Sequence, residues 1–377
     1  MAQAQPQPQP QPLPDFVPGL ELSRLYATEV VEPILRKAFP SVPLAFGLLG
    51  EGSDVVGYDT ARSMDHDWGP RCIVFVPDDV RESLAPWLDQ TLRDQLPHTF
   101  LGFPTGIGHH SDDTTFMADN DESDGPFVHR VRIAGPGQIL HELIGIRSLD
   151  DLTPALWVTT PQQKLLELTA GAIFRDDTGE ITRIRKALDW YPDDVWRLVL
   201  AGTWKAIAQL ESFVGRSGEV GDDLGSQLVA MRLIRDQIRL AFLLERHYAP
   251  YQKWFGTAFD RLGIAPLLTP SMDRARYARD WRERERGVVE ASVALANRQN
   301  ALKLAARVDP APRPFWSRPF QVLDAERFTR ALADVIADPA VKALPADLGG
   351  LDTYIDSTDA VGEQRLHRAI QGWLESR

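Results

Sequence analysis

Apolar residues first recur at helical spacing near the start of the chain, where Leu22, Leu25, Tyr26 and Val30 mark one face of a helix predicted over Leu20 to Phe39. Pro33 lies inside it and should bend or split it, because proline has no N–H to donate and crowds the preceding turn. The pattern then changes period. Leu44 to Leu49 is an unbroken apolar run leading into glycine, and Arg71 to Val76 (RCIVFV) is β-branched and aromatic, closed by Pro77, Asp78 and Asp79. Both read as buried strands. Glu82 to Leu96 returns to helical texture. Residues 102–126, rich in Gly, Asp, Asn and Ser, read as a long loop, and Phe127 to Ile133 as a third strand.

After Leu149 the pattern is helical. Thr160-Pro161-Gln162-Gln163 combines a capping threonine, a first-turn proline and a glutamine at the third position, predicting a helix through about Phe174. Further helices fit residues 180–190, 193–214, 226–247, 271–306, 324–337 and 361–376, and eight of the ten tryptophans lie in this half. The expected fold class is α+β, with a small mixed-sheet head over 15–150 and a larger all-helical domain over 151–377. Residues 1–14, with alternating Gln-Pro from Gln5 to Pro12, read as a disordered polyproline-II tail.

Composition narrows the function classes. A 44% hydrophobic and 25% charged chain of 377 residues can bury sizeable cores, and the single cysteine, Cys72, cannot form an internal disulfide. No apolar run approaches the roughly 20 residues of a membrane span, and the opening residues carry no basic region or apolar signal core. A cytoplasmic, membrane-free protein is expected. Residues 1–150 carry 10 Lys/Arg against 22 Asp/Glu while residues 151–377 carry 31 of each, so the formal charge of −12 belongs to the first part. Such a field repels polyanions, which makes nucleic acid an unfavourable partner and suits a small cation or divalent metal.

The stretch with most chemistry is Leu49 to Pro70, LGEGSDVVGYDTARSMDHDWGP. A strand ends in Gly50-Glu51-Gly52-Ser53, and a second strand follows Asp65-His66-Asp67. Alternate residues of an extended segment share a face, so Asp65 and Asp67 can aim at one cation, while His66 points away to pack or orient. Paired hard carboxylates that also share substrate phosphates suit Mg²⁺. The Gly-Ser turn lets backbone N–H groups and a hydroxyl approach a phosphate.

This stretch resembles the signature of the nucleotidyltransferase superfamily, a hydrophobic residue, glycine, then glycine or serine, followed about a dozen residues later by Asp-x-Asp. Gly57 and Ser63 sit where antibiotic-modifying members often carry Gly and Ser, although the first aspartate arrives one residue later than in their commonest spacing. The resemblance implies a small mixed sheet with flanking helices, two Mg²⁺ ions held by three carboxylates, and transfer of a nucleoside monophosphate from an NTP. It implies that Asp65 and Asp67 bind metal and that Gly52, Ser53 and Ser63 face the nucleotide. The segments DHDWGPR (65–71), PQQKLLELTAGAIF (161–174), WYPDDVW (190–196), GRSGEVGDDLGS (215–226) and ERHYAPYQKWFGTAF (245–259) resemble the DUF4037 family, described as nucleotidyltransferase-like. The head with a helical partner also resembles aminoglycoside adenylyltransferases.

The superfamily's third carboxylate normally sits on a following strand, and the candidate strand Val128-His129-Arg130-Val131-Arg132-Ile133 has no acid. Glu51, Asp54 and Glu167 are the substitutes, with Glu167 the candidate base. Lys164, three residues earlier on the same helix face, either pairs with Glu167 or lines the nucleotide. Arg232, Arg235, Arg239 and Arg246 fall within about 60° of one another on a helix, as a triphosphate-binding wall or as a salt-bridged face. His109-His110 beside Asp112 and Asp113 fall in a polar loop rather than a metal site. The glycines of 215–226 follow a helix, so they form an interhelical loop and no dinucleotide fingerprint. The expected activity is a Mg²⁺-dependent transferase, with ATP the leading NTP and a small hydroxyl compound, cationic by preference, as acceptor. The rival expectation is a degenerate nucleotide-binding protein of the same fold.

Overall fold

The computed structural model describes residues 14–65, 67–109, 115–118 and 127–376. The Gln/Pro repeat, His66, His110, Asp112 and Asp113 lie outside the described residues, and nothing is said of the side chains of Asp65 and His109. The first long helix is split as Pro33 requires. α1 (Gly19–Tyr26) passes into a π-helical turn, Ala27–Val31, and then α2 (Glu32–Ala38), with Pro33 in the first turn of α2. The N–H of Glu32 reaches back five residues to the Ala27 carbonyl, the wider turn that accommodates a proline with no N–H of its own.

β1 (Ala45–Leu48) and β2 (Cys72–Phe75) are buried at every position. That burial explains their continuous apolar sequence, since both faces meet protein. Strand β2 leads into α3 (Arg81–Gln95), then the short hairpin β3 (Thr99–Phe100) and β4 (Phe103–Pro104), turned through Leu101 and Gly102 at φ 51° and 83°. A two-residue turn with both φ positive matches the twist of its strands. The expected long loop over 102–126 is corrected here. Phe103 is fully buried, and β5 (Gly106–His109) pairs antiparallel with β6 (Thr115–Ala118), a strand whose apolar residues are diluted by polar neighbours in the sequence. β7 (Val131–Ala134) then pairs in parallel with β2.

After α4 (Pro136–Ile144) and α5 (Pro154–Thr159), the helix predicted from residue 161 through about Phe174 proves shorter. It is α6 (Gln162–Thr169), and the Thr160 hydroxyl bonds the Leu156 carbonyl instead of capping it. Gly171, at φ 67°, turns the chain into β8 (Ala172–Asp176), which pairs antiparallel with β1. A Cβ at Gly171 would lie 2.1 Å from the Leu48 carbonyl oxygen, so only glycine fits. Arg185 closes the end of α6 by donating to the carbonyls of Leu168, Thr169 and Ala170.

The sheet order is β7-β2-β1-β8. Its core joins Tyr26, Val31 and Leu35 to Leu44, Phe46, Val74, Leu88 and Leu92. The chain divides into a first unit, Met1–Leu143 with Glu167–Lys186, and a second, Ile144–Leu166 with Ala187–Arg377. This is more interleaved than a single break near residue 150. The fold class is α+β, as expected.

The second unit continues through α7 (Glu180–Ala187), shared with the first, α8 (Asp193–Leu210), α9 (Phe213–Glu219), α10 (Asp223–Leu244), α11 (Gln252–Phe259), α12 (Ala265–Tyr277) and α13 (Trp281–Leu302). The helix expected over 271–306 is thus two, because Asp280 accepts from the Arg282 N–H and caps a new start. Most of the expected glycine loop at 215–226 is also helical. Gly215 and Gly218 lie in α9, where a Cβ would strike Phe320 and Trp281. The short hairpin β9 (Arg313–Pro314) and β10 (Gln321–Val322) precedes α14 (Glu326–Ala333), α15 (Pro339–Lys342), α16 (Thr358–Gly362) and α17 (Gln364–Glu375). Among the described residues no helix is long and apolar enough to cross a membrane.

Two buried acids pin the 320–325 segment. Glu211 accepts from the N–H groups of Asp324 and Ala325, and Glu285 accepts from that of Gln321. Burial pushes the Glu285 carboxyl from the ordinary 4.5 up to about 7. A folded-state pKa above the unfolded one means that the folded protein holds the extra proton between those values, so stability falls as pH rises through the window. Glu285→Gln removes that titration. Its stability relative to the parent should therefore rise by about 1–3 kcal/mol between pH 4.5 and pH 8, read by denaturant unfolding at both pH values. An unchanged difference would refute the assignment.

Candidate functional site

Strand register brings the motif together. β1 and β2 pair with Gly47 opposite Ile73, so the carboxyl end of β1 adjoins the amino end of β2. β7 pairs with Val131 opposite Cys72, and β8 with Ala172 opposite Leu48. Gly50–Ser53, Asp65–Arg71, Arg130 and the turn before β8 therefore all lie at one end of the sheet, within the first unit.

The turn after β1 is built by left-handed glycines, Gly50 at φ 98° and Gly52 at φ 134°. The Gly50 N–H donates to the Glu167 carbonyl at 2.8 Å, and the Gly171 N–H donates to the Val55 carbonyl at 2.9 Å. A Cβ on Gly52 would lie 2.3 Å from Asp54 Oδ1 and 2.4 Å from an Arg71 nitrogen. Those two atoms belong to the pair that organises the loop. Arg71 donates to Asp54 from Nε at 3.2 Å and from Nη2 at 2.7 Å, and Nη2 also reaches the Glu51 carbonyl. Asp54 is 1% exposed.

The aspartate loop is anchored by Trp68, 2% exposed, which stacks on Phe16, meets Phe103 edge-on and donates its indole N–H to Asp59 at 3.0 Å. Asp59 also accepts from the Gly19 N–H, which ties the loop to α1. Asp65 ends a 3₁₀ turn, Ala61–Asp65, in which Ser63 accepts from the Thr60 N–H at 3.0 Å. Asp67 is exposed and sits at φ 49°, a region that aspartate tolerates better than most residues.

Arg71 and Arg130 are the residues that sequence reasoning missed. Each directly precedes a strand, and the parallel register makes them neighbours. Arg130 also donates to the Trp68 carbonyl. Burial lowers its guanidinium to about 10, with Arg71 beside it adding to the shift and Asp67 and Asp54 opposing it. The available signal was the repeated arginine before an apolar run, Arg71-Cys72-Ile73-Val74 and Arg130-Val131-Arg132-Ile133.

Of the substitutes for a third carboxylate, Asp54 has both oxygens committed to Arg71, Glu167 is 2% exposed, and Glu51 is exposed on the turn. Among the described residues no group of three His, Cys, Asp or Glu is arranged to hold a metal. The exposed Asp67 carboxylate, two residues from Asp65, still has the hard-oxygen character that suits Mg²⁺.

The expected basic face lies in the second unit and is matched by acids there. Arg232 bonds Asp236 at 3.0 Å and the Thr353 carbonyl, Arg235 bonds Asp356, and Arg239 lies 3.7 Å from Asp236. Arg246 falls beyond the end of α10, at φ 56°, with its guanidinium 4.4 Å from the Trp196 ring centroid, so it is not part of that face. Arg235 and Arg239 line a cavity of about 40 Å³ with Tyr251, Asp352 and Asp356. That is far below the roughly 300 Å³ or more of a typical ligand pocket. Lys164 is 9% exposed on the part of α6 that belongs to the second unit.

The chain matches the model of a family described as a domain of unknown function (DUF4037) over residues 157–255. That stretch includes the segments at 161–174, 190–196 and 215–226 but excludes the Asp65–Arg71 loop. Among solved structures, the chain is similar to a nucleotidyltransferase-like protein from Exiguobacterium sibiricum 255-15, at 9% identity and a TM-score of 0.32, covering 84% of this chain and 88% of that one. No curated protein matches.

Two substitution experiments separate structural from functional charges. Asp54→Asn should cost roughly 3–5 kcal/mol by denaturant unfolding, because it strands a half-buried guanidinium, whereas Asp67→Asn should stay within about 0.5 kcal/mol. Equal costs would mean that the loop is not held by the Asp54–Arg71 pair. Arg235→Ala should lower unfolding stability by roughly 0.5–2 kcal/mol and leave NTP affinity unchanged. Weaker NTP binding at full stability would return the α10 arginines to the phosphate.

Proposed function

We propose that the protein is a Mg²⁺-dependent nucleotidyltransferase, moving a nucleoside monophosphate, with ATP the leading donor, onto the hydroxyl of a small molecule. What supports this reading is the sharing of one sheet end by the Gly50–Ser53 turn and the Asp65–Arg71 loop, fixed by the pairing of β1 with β2. The acceptor oxygen would bond to the α-phosphorus as the bond to the β-phosphate oxygen breaks, releasing pyrophosphate, and the hydroxyl proton would pass to a carboxylate. In this reading Asp65 and Asp67 hold the metal, which supplies charge neutralisation to the phosphates. Gly52 and Ser53 present backbone N–H groups to the triphosphate, with Ser63 shaping the turn beside it. Arg71 and Arg130 add fixed positive charge at the same end.

The acid that receives the proton is Glu51 or Glu167, one on the exposed turn and the other buried behind it. A negative head favours cationic acceptors such as amino sugars, with a preference that fades as salt rises.

A second reading, a nucleotide-binding protein without turnover, draws on a specific observation. Arg130 stands at the start of β7, the strand on which the resemblance calls for an acid. The two readings part in one assay. With ATP, GTP, CTP or UTP, Mg²⁺ and a panel of amino sugars, neutral sugars and sugar phosphates, the transferase releases pyrophosphate, and Asp65→Asn or Asp67→Asn lowers that turnover at least about 100-fold without unfolding the chain. NTP binding with no pyrophosphate from any acceptor would favour the non-catalytic reading. Full turnover in both variants would move the site elsewhere.

A further inference from the structure

Arg239, on α10, is an arginine that the fold buries without giving it a hydrogen bond. It is 9% exposed, and among the described residues no acceptor lies within hydrogen-bonding reach of its guanidinium. Its ion pair with Asp236 Oδ1 spans 3.7 Å, too long for a hydrogen bond, and that oxygen is itself buried without a hydrogen-bond partner. The acids around it are engaged elsewhere. Asp236 Oδ2 accepts from Arg232, Asp356 from Arg235, and Asp352 from the Gln162 N–H at 3.0 Å. Arg232 and Arg235 also press like charge on Arg239. A planar cation with five N–H donors, buried and short of acceptors, is a costly arrangement unless something outside the chain supplies oxygens.

Arg239 lines the cavity of about 40 Å³, whose lining residues all belong to the second unit. That is room for about three water molecules, too little for a nucleotide. We propose that the cavity binds a small aliphatic monocarboxylate, whose two oxygens accept from the Arg239 guanidinium and whose hydrocarbon end meets Phe255, Ile355 and Val361. Shape and charge select that ligand. The guanidinium fork matches the two oxygens of a carboxylate, and a three-atom carboxylate head fits where the five atoms of phosphate crowd. Asp352 and Asp356 also line the cavity, so a phosphate dianion meets roughly twice the repulsion of a monoanion. Water alone would satisfy the donors but gain nothing from the apolar walls. This inference does not depend on the transferase reading, which puts its nucleotide at the sheet end of the first unit.

The test titrates the full chain, in a buffer free of carboxylates and phosphate, with acetate, propionate, phosphate or chloride at matched ionic strength, reading Tm and the heat of binding. Acetate and propionate should raise Tm along a saturating curve, because a ligand of the folded state alone stabilises by mass action. Phosphate and chloride should not. Arg239→Gln should weaken the carboxylate response at least about 30-fold, as loss of a charge-assisted fork would. If that change disturbs α10, Val361→Trp provides the independent check, since it keeps every charge and fills the cavity. It should abolish the carboxylate response with an unchanged far-UV spectrum. A parent that responds to no carboxylate, or equally to chloride or phosphate, would overturn the proposal. So would a folded Val361→Trp variant that responds as the parent does.

Discussion

The contact between Asp54 and Arg71 decides whether the loop from residue 50 to residue 71 has a shape. Asp54 belongs to the turn leaving β1 and Arg71 to the residue entering β2, so their two hydrogen bonds close the loop across 17 residues. Coulomb attraction between a nearly buried carboxylate and a half-buried guanidinium is strong, but so is the cost of taking both from water. The additional bond from Arg71 to the Glu51 carbonyl and the backbone bond from Gly50 to Glu167 offset part of that cost. Gly52 is required because a side chain there would occupy the space of the pair itself. The turn, the salt bridge and the approach of the aspartate loop are one construction. A change to any part should be felt at Asp67.

The same pair removes Asp54 from the inventory of metal ligands, so acidity near the motif overstates its capacity for cations. Five of the flanking and motif acids that looked alike as letters divide into different jobs once geometry is known. Asp54 balances an arginine, Asp59 holds Trp68 and the start of α1, and Glu167 is buried behind the turn. Asp67 and Glu51 remain in contact with solvent. The division follows from burial, which sequence spacing does not encode.

Much of the head was legible because its central strands are unbroken apolar runs and its first helix carries a regular stripe with a proline that must interrupt it. The Gly50–Ser53 turn was legible for a similar reason, since the demand for glycine is local, whereas the extended segment expected to carry Asp65 and Asp67 is replaced by a 3₁₀ turn ending at Asp65 and a left-handed backbone at Asp67. β8 was not. Ala172 to Asp176 follows directly on a helix, and its partner β1 lies more than 120 residues earlier. Arg130 was overlooked because its value depends on a register with Arg71 across 59 residues. The arginine stripe of α10 was correctly periodic at Arg232, Arg235 and Arg239, yet besides Asp236 on the same helix its partners Asp352 and Asp356 come from a segment over 110 residues away. Periodicity identifies a face, and only the distant chain says what covers it.

The insertion of β8 has a consequence for how the molecule is made. Until residues 172–176 arrive, β1 is an edge strand with a wholly apolar sequence and a row of unpaired backbone groups. On a ribosome, the helix, β1, β2 and β7 all emerge first and must wait for the strand that completes them, which is itself flanked by segments belonging to the other unit. At about 5–20 residues per second, the interval between β7 and β8 is a few seconds of exposure. The two units therefore cannot mature strictly one after the other. Nascent chains should pass through a stage in which a half-finished sheet is the surface most in need of a chaperone.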